Sequence, residues 1–165
     1  WSSDVCSSDL YSVITATLPQ LACQPVNLKD SLTTSLAAFY APLTQRGITP
    51  ELHLPDTPVY GHADPTALRR VFGNILNNAV KYSDGDLQVT LTTDGAVTFS
   101  NHASGLDQVQ TERLFDRFYT VETARSSTGL GLSIAKLLTE EMGGVITATY
   151  EEGQLRIRVA FPQEM

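Results

Sequence analysis

Residues 64–82, Asp-Pro-Thr-Ala-Leu-Arg-Arg-Val-Phe-Gly-Asn-Ile-Leu-Asn-Asn-Ala-Val-Lys-Tyr, leave the chain little choice of conformation. Leu68, Val71, Phe72, Ile75, Leu76 and Ala79 recur at the three-and-four spacing of one helix face. Asp64 is a strong N-cap, and Pro65 suits the first helical position, where its missing N–H is not needed. A helix this apolar on one side must be covered by a second layer. At about 100° per residue, Arg70, Asn74, Asn78 and Lys81 fall within a stripe of about 80° that flanks the apolar face. An amide oxygen is a neutral hard ligand for Mg²⁺, a cation that takes few protein oxygens and completes its shell with phosphate and water. Lys81, one turn further on, is in reach of a phosphate. The alternative is a solvated face with Asn as filler. Asn is a poor helix former, however, and Asn74, Asn77 and Asn78 crowd one short stretch.

About fifty residues later comes Thr128-Gly129-Leu130-Gly131-Leu132-Ser133-Ile134-Ala135-Lys136. Glycines let a ligand approach the backbone closely, and the positive end of the following helix attracts anions. A flexible loop would also account for this run alone. Its weight comes from its pairing with the Asn helix.

The remaining pattern mixes helices and strands. Residues 11–26 contain Pro19 and Pro25, lack periodicity and read as a linker. Asn27 caps an expected helix that has Asp30 in its first turn, Leu28, Leu32, Leu36, Phe39 and Leu43 on one face, and Gly47 as its stop. Leu52 and Leu54 alternate with Glu51 and His53 as in a half-buried strand, and Val59-Tyr60 reads as a second short strand. Leu87, Val89 and Leu91, the turn Asp94-Gly95, and Val97 and Phe99 spell a hairpin. A loop over 100–109 precedes a short helix near 111–119, and a second helix covers roughly 130–142 before Gly143-Gly144. Val145–Tyr150 and Leu155–Phe161 form a last hairpin about Glu152-Gly153. There are no repeats. The economical packing is an α/β (α+β) two-layer sandwich, one mixed and mostly antiparallel sheet with helices on one face.

At 165 residues with 42% apolar content, one core is expected. The net charge of −7 argues against a nucleic-acid face, which needs clustered Lys and Arg. No apolar run approaches the length of a membrane span. Residues 1–10, Trp-Ser-Ser-Asp-Val-Cys-Ser-Ser-Asp-Leu, repeat Ser-Ser-Asp and resemble the translation of a sequencing-library adapter. They are read as foreign and set aside. That leaves Cys23 alone, with no disulfide partner, which fits a reducing compartment. It also makes the chain the expected C-terminal piece of something longer.

Three boxes then carry a resemblance. Asn74-Ile-Leu-Asn-Asn78-Ala-Val-Lys81-Tyr82 resembles the N box, Leu114-Phe115-Asp116-Arg117-Phe118-Tyr119 the F box, and Thr128–Leu132 the second glycine box of sensor histidine kinases. The resemblance covers residues 27–162, within a domain read as 27–165, and reaches the gyrase, heat-shock chaperone and mismatch-repair ATPases. It implies the Bergerat ATP-binding fold, with ATP and Mg²⁺ as cofactors. Asn74 and Asn78 would hold Mg²⁺ and phosphate oxygens, and Lys81 would contact phosphate. Tyr82, Asn101, Gly105, Thr128, Gly129, Leu130, Gly131 and Leu132 would line the nucleotide, and residues 120–129 would form a lid with Arg125 on a phosphate. The implied partners are an upstream dimerisation and histidine phosphotransfer domain and a cognate response regulator. The whole protein would be a homodimer anchored in the bacterial membrane, with this domain in the cytoplasm.

The chain departs from the family in its adenine-reading loop. Where the family has Asp-x-Gly-x-Gly, this chain has Asn101-His102-Ala103-Ser104-Gly105, and Ser127 stands where a glycine is common. An Asn oxygen still accepts from an adenine amine. The related ATPases carry a Glu one turn before the Mg-binding Asn to activate water. Here that position is Asn74, which cannot serve as a base at neutral pH. Phosphoryl transfer is therefore expected rather than hydrolysis. His53, His62 and His102 lack the family's phosphoacceptor context: His53 reads as the polar side of a strand, His62 as a pre-helix loop residue. Two other readings stay open, an anti-sigma-factor-type serine kinase and a degenerate nucleotide-binding or interaction module.

Overall fold

A computed structural model describes residues 21–116 and 131–163. Five strands form the main sheet: β2 (Thr49–His53), β4 (Asp86–Leu91), β5 (Ala96–His102), β6 (Val145–Glu151) and β7 (Gln154–Ala160). Their spatial order is β2-β4-β5-β7-β6. β2 runs parallel to β4, and the other neighbours are antiparallel. Leu87, Val89, Val97, Phe99, Leu155, Ile157 and Val159 are buried on one face of it. Gln88, Thr90, Thr98, Arg156 and Arg158 alternate with them, so the sheet is apolar on one side and polar on the other. β1 (Gln24–Asn27) and β3 (Tyr60–Ala63) make a separate antiparallel pair.

The helices cover the apolar face: α1 (Leu28–Ala38), α2 (Tyr40–Gln45), α3 (Pro65–Tyr82), α4 (Gln108–Glu112) and α5 (Gly131–Glu141). α3 is central, packed against α1 and α5. Its whole expected apolar face is buried, with Leu68, Val71, Phe72 and Leu76 at 0% exposure. Phe72 joins the layers, its ring 5.9 Å from that of Phe99 and edge-on to Phe161 at 6.3 Å. The Asp64 cap forms as expected: Oδ1 accepts from Thr66 N at 2.9 Å and Ala67 N at 3.0 Å. This is the two-layer mixed sheet that the pattern implied.

Several boundaries differ from the sequence reading. The helix over 28–46 is broken at Phe39. Pro42 has no N–H to give the carbonyl of Ala38, so the chain restarts and Pro42 falls in the first turn of α2. The end of the expected linker is β1. His62, read as a loop residue, lies in β3 opposite Pro25. Leu52 is 44% exposed rather than half-buried, because among the described residues β2 is an edge strand paired only with β4. α4 starts earlier than expected, at a capping box in which Asp107 and Gln110 satisfy each other's backbone N–H. Residues 117–119 of the expected short helix lie outside the described residues. No helix among the described residues is long and apolar enough to cross a membrane.

Candidate functional site

One cleft gathers the amide stripe and the start of α5. It is lined by Asn74, Asn77, Asn78, Lys81 and Tyr82 from α3, by Leu114, and by Gly131 and Leu132. The two segments singled out by sequence therefore meet. Asn74 ties them directly, its Nδ2 donating to Gly131 O at 2.8 Å. Asn78 is only 6% exposed, an unusual position for an amide and one that aims polar chemistry into the cleft wall. Burial holds the Lys81 ammonium below its ordinary lysine range. Among the described residues, a Cβ at Gly131 would meet nothing within 4 Å.

Lys81 and Tyr82 also border a wider cleft of about 480 Å³, with Arg46, Ser83, Asp84, Ser104, Gly105 and Leu106. Among the described residues, a Cβ at Gly105 likewise meets nothing within 4 Å. Arg46 closes the C-terminal end of α3, where Nε donates to Val80 O and a terminal nitrogen to Ser83 O, each at 2.7 Å. That places a cation on the negative end of the helix.

Asn101 lies at the end of β5 opposite Leu155 and is 3% exposed. Its Nδ2 donates to His102 O at 3.1 Å. Ala103, which replaces a family glycine, is fully buried and does not have a positive φ. The exchange of Gly for Ala therefore demands no strained backbone. His102 is gripped by Asp86, whose carboxylate receives the His102 N–H and faces the ring Nδ1, both at 2.8 Å. Burial raises the Asp86 pKa, but these hydrogen bonds outweigh it and hold the carboxyl below its usual range.

Arg125, Thr128, Gly129, Leu130 and Ser127 lie outside the described residues, as do Arg117, Phe118 and Tyr119. Of the F box, Leu114 lines the cleft and Phe115 sits beneath the Lys136 ammonium of α5, 5.9 Å from ring centre to Nζ. The sequence reading placed Ser104 in the adenine loop but did not single out Arg46, Asp84 or Leu106 as cleft residues. They come together only through tertiary contacts, and no local spacing announces them. Elsewhere, a groove of about 280 Å³ between α1, α2 and β2 carries no titratable group except Tyr40, so the chemistry stays with α3.

The donor set fits a nucleotide with its cation. Among the described residues, no three His, Cys, Asp or Glu side chains gather to hold a metal by themselves. A cation in this cleft would be held by neutral amide oxygens and would need phosphate oxygens to complete its shell.

The sequence profile of the "Histidine kinase-, DNA gyrase B-, and HSP90-like ATPase" family matches residues 63–165. A sensor histidine kinase of Bacillus subtilis, YcbM, is 34% identical over 131 residues, which cover 74% of this chain and 42% of that protein. The signal transduction histidine-protein kinase BaeS of Escherichia coli is 34% identical over 169 residues, covering 94% of this chain and 36% of its own. The chain thus spans about two fifths of the length of these curated relatives. The solved catalytic domain of the histidine kinase ThkA shares the fold, with a TM-score of 0.76 at 20% identity, over 87% of this chain and 97% of that one. With its Asn helix and glycine-started helix joined at one cleft, the chain belongs to the histidine kinase-, DNA gyrase B- and HSP90-like ATPase family.

Proposed function

We propose that this chain is the Mg-ATP-binding catalytic domain of a two-component sensor histidine kinase. It would transfer the γ-phosphoryl group to a histidine on an upstream dimerisation domain, for relay to a response regulator. The observation that carries this reading is the cleft where Asn74, Asn78 and Lys81 meet Gly131 and Leu132. Asn78 and Asn74 would hold Mg²⁺ through their side-chain oxygens, the Asn74 nitrogen being already committed to Gly131 O. Bound Mg²⁺ would neutralise phosphate charge. Lys81 would add a second positive charge, and backbone N–H groups of the glycine run at Gly131 would offer donors to phosphate. Asn74 offers no base to activate water, so transfer to a protein nucleophile is favoured over hydrolysis. By analogy with the kinases it resembles, the whole protein would be a membrane-anchored homodimer with this domain in the cytoplasm.

Calorimetric titration of Mg-ATP onto the parent chain and Asn78→Ala tests the reading. The substitution removes an oxygen from the cleft and leaves the apolar face of α3 intact. The parent is expected to bind, and the variant to fold yet bind at least about tenfold more weakly, the loss of one charge-assisted contact. A folded variant that binds Mg-ATP as tightly as the parent sinks the assignment.

A further inference from the structure

The turn after α3 reaches across to the loop that follows β5. Asp84 N donates to His102 O at 2.7 Å. The Asp84 carboxylate then takes both donors of Ser104, the N–H on Oδ2 at 2.9 Å and the hydroxyl on Oδ1 at 3.0 Å. Twenty residues separate the partners, so this is a bridge between two elements and not a local turn. Ser83 shapes the bridgehead, its Oγ accepting from Gly85 N at 3.0 Å and Asp86 N at 2.9 Å. On the other side of the loop, Ala103 N donates to Gly153 O at 2.9 Å, and Ala103 O accepts from the Tyr150 hydroxyl at 3.0 Å. The loop is thus anchored by the β6–β7 hairpin at Ala103 and by Asp84 at Ser104. Asp84, Ser104 and Gly105 border the wider cleft beside Tyr82.

We propose that Asp84 is a positioning residue for base recognition. By holding both donors of Ser104, it fixes the path of residues 102–105 and so the place where Asn101 and Gly105 meet the adenine. The proposal rests on the nucleotide-binding reading above. The clamp is geometric: it needs an acceptor and a partner for the Ser104 hydroxyl, not a negative charge. An Asn in its place has both, an oxygen for the Ser104 N–H and an NH₂ for the Ser104 Oγ. Asp84 and Ser104 are both exposed, so losing their contact has little effect on global stability and binding is the sensitive readout.

The test compares the affinities of the parent, Asp84→Ala and Asp84→Asn for Mg-ATP and for purine riboside triphosphate, which lacks the exocyclic amine. Asp84→Ala is expected to lose ATP affinity by roughly tenfold, while the amine-free analogue changes little, so that preference for ATP collapses. Asp84→Asn is expected to keep the parental preference. Adding Ser104→Ala to Asp84→Ala should change nothing further. The clamp is overturned by an unchanged preference in Asp84→Ala, by equal losses for both ligands, or by Asp84→Asn failing as badly as Asp84→Ala. Should Asp84→Ala not fold, Ser104→Ala alone decides. It removes only the hydroxyl arm and should narrow the ATP preference by a smaller factor, and an unmoved preference there overturns the clamp. A parent that binds ATP with flat Asp84 variants sinks the clamp alone, whereas a parent that binds neither ligand sinks the nucleotide reading and the clamp with it.

Discussion

Asn101 points its Nδ2 at the carbonyl of its own neighbour, His102, at 3.1 Å. That orientation follows from chemistry, since the flipped amide would set oxygen against oxygen. It leaves Oδ1 as the acceptor end of the amide, with two lone pairs. An adenine amine is a donor and would be accepted there, whereas guanine presents a carbonyl at the same place and would be repelled. Asn101→Ala should therefore lose about tenfold in ATP affinity, one hydrogen bond's worth, with most of the ATP-over-GTP preference. Asn101→Asp restores the family residue and should keep that preference. It also puts a carboxylate oxygen where Nδ2 now donates to His102 O, so its melting temperature should drop below that of the parent. Titration with both nucleotides, alongside thermal melts monitored by circular dichroism, separates the two effects. If selectivity stays flat in the Ala variant, Asn101 has no part in reading the base.

α3 was legible almost entirely from sequence because its information is local. The cap, the N1 proline and the apolar face all lie within residues 64–82, and each enforces the same register. The cap reaches beyond its own helix, since Asp64 Oδ2 also accepts from Ala22 N at 2.8 Å. Burial pushes the Asp64 pKa up, but the backbone donors of Ala67, Ala22 and Thr66 prevail and hold it below the usual carboxylate range. A carboxyl depressed by folding stabilises the fold above its unfolded pKa, and that contribution fades as pH falls through the lowered folded value. Asp64→Ala should thus cost about 1 kcal/mol at neutral pH, with the gap to the parent closing on acidification below the ordinary Asp range. Chemical denaturation across pH measures it, and a gap that is constant down to strong acid contradicts the cap's ionised role. Elements with non-local causes were read less well. Leu52 alternates like a buried strand residue, yet β2 sits at the sheet edge, and strand order is not written in strand sequence. The break at Phe39 was foreseeable from Pro42. The Asp84–Ser104 bridge was not, because its partners are twenty residues apart and neither lies on a periodic face.

At the scale of the whole molecule, the proposed function makes this domain a phosphoryl donor, and none of the chain's histidines sits in an acceptor setting. His53 is paired with Glu51 at 3.0 Å on the edge strand, His62 lies in β3, and His102 is held by Asp86. None of the three sits on a helix. A phosphoacceptor must present an unencumbered ring nitrogen in line with the γ-phosphate, and two of these rings already face a carboxylate. The cleft also lacks a base at Asn74, whose amide nitrogen is spent on Gly131 O. Incubated alone with Mg-ATP labelled on its γ-phosphate, the chain should therefore acquire no label and release phosphate slowly. On the proposed function, the chain fused to a histidine-bearing dimerisation domain should pass label to a histidine there as an acid-labile, base-stable phosphoramidate. Multiple-turnover hydrolysis by the isolated chain would mean that another group activates water in spite of Asn74. Strong labelling of the chain itself would place an acceptor within it, and the separation of donor from acceptor would then be wrong. The Asn74→Glu variant sharpens the comparison, because it supplies the base that the related ATPases carry at this turn. Phosphate release by that variant should rise above the parent's if the amide at position 74 is what withholds hydrolysis.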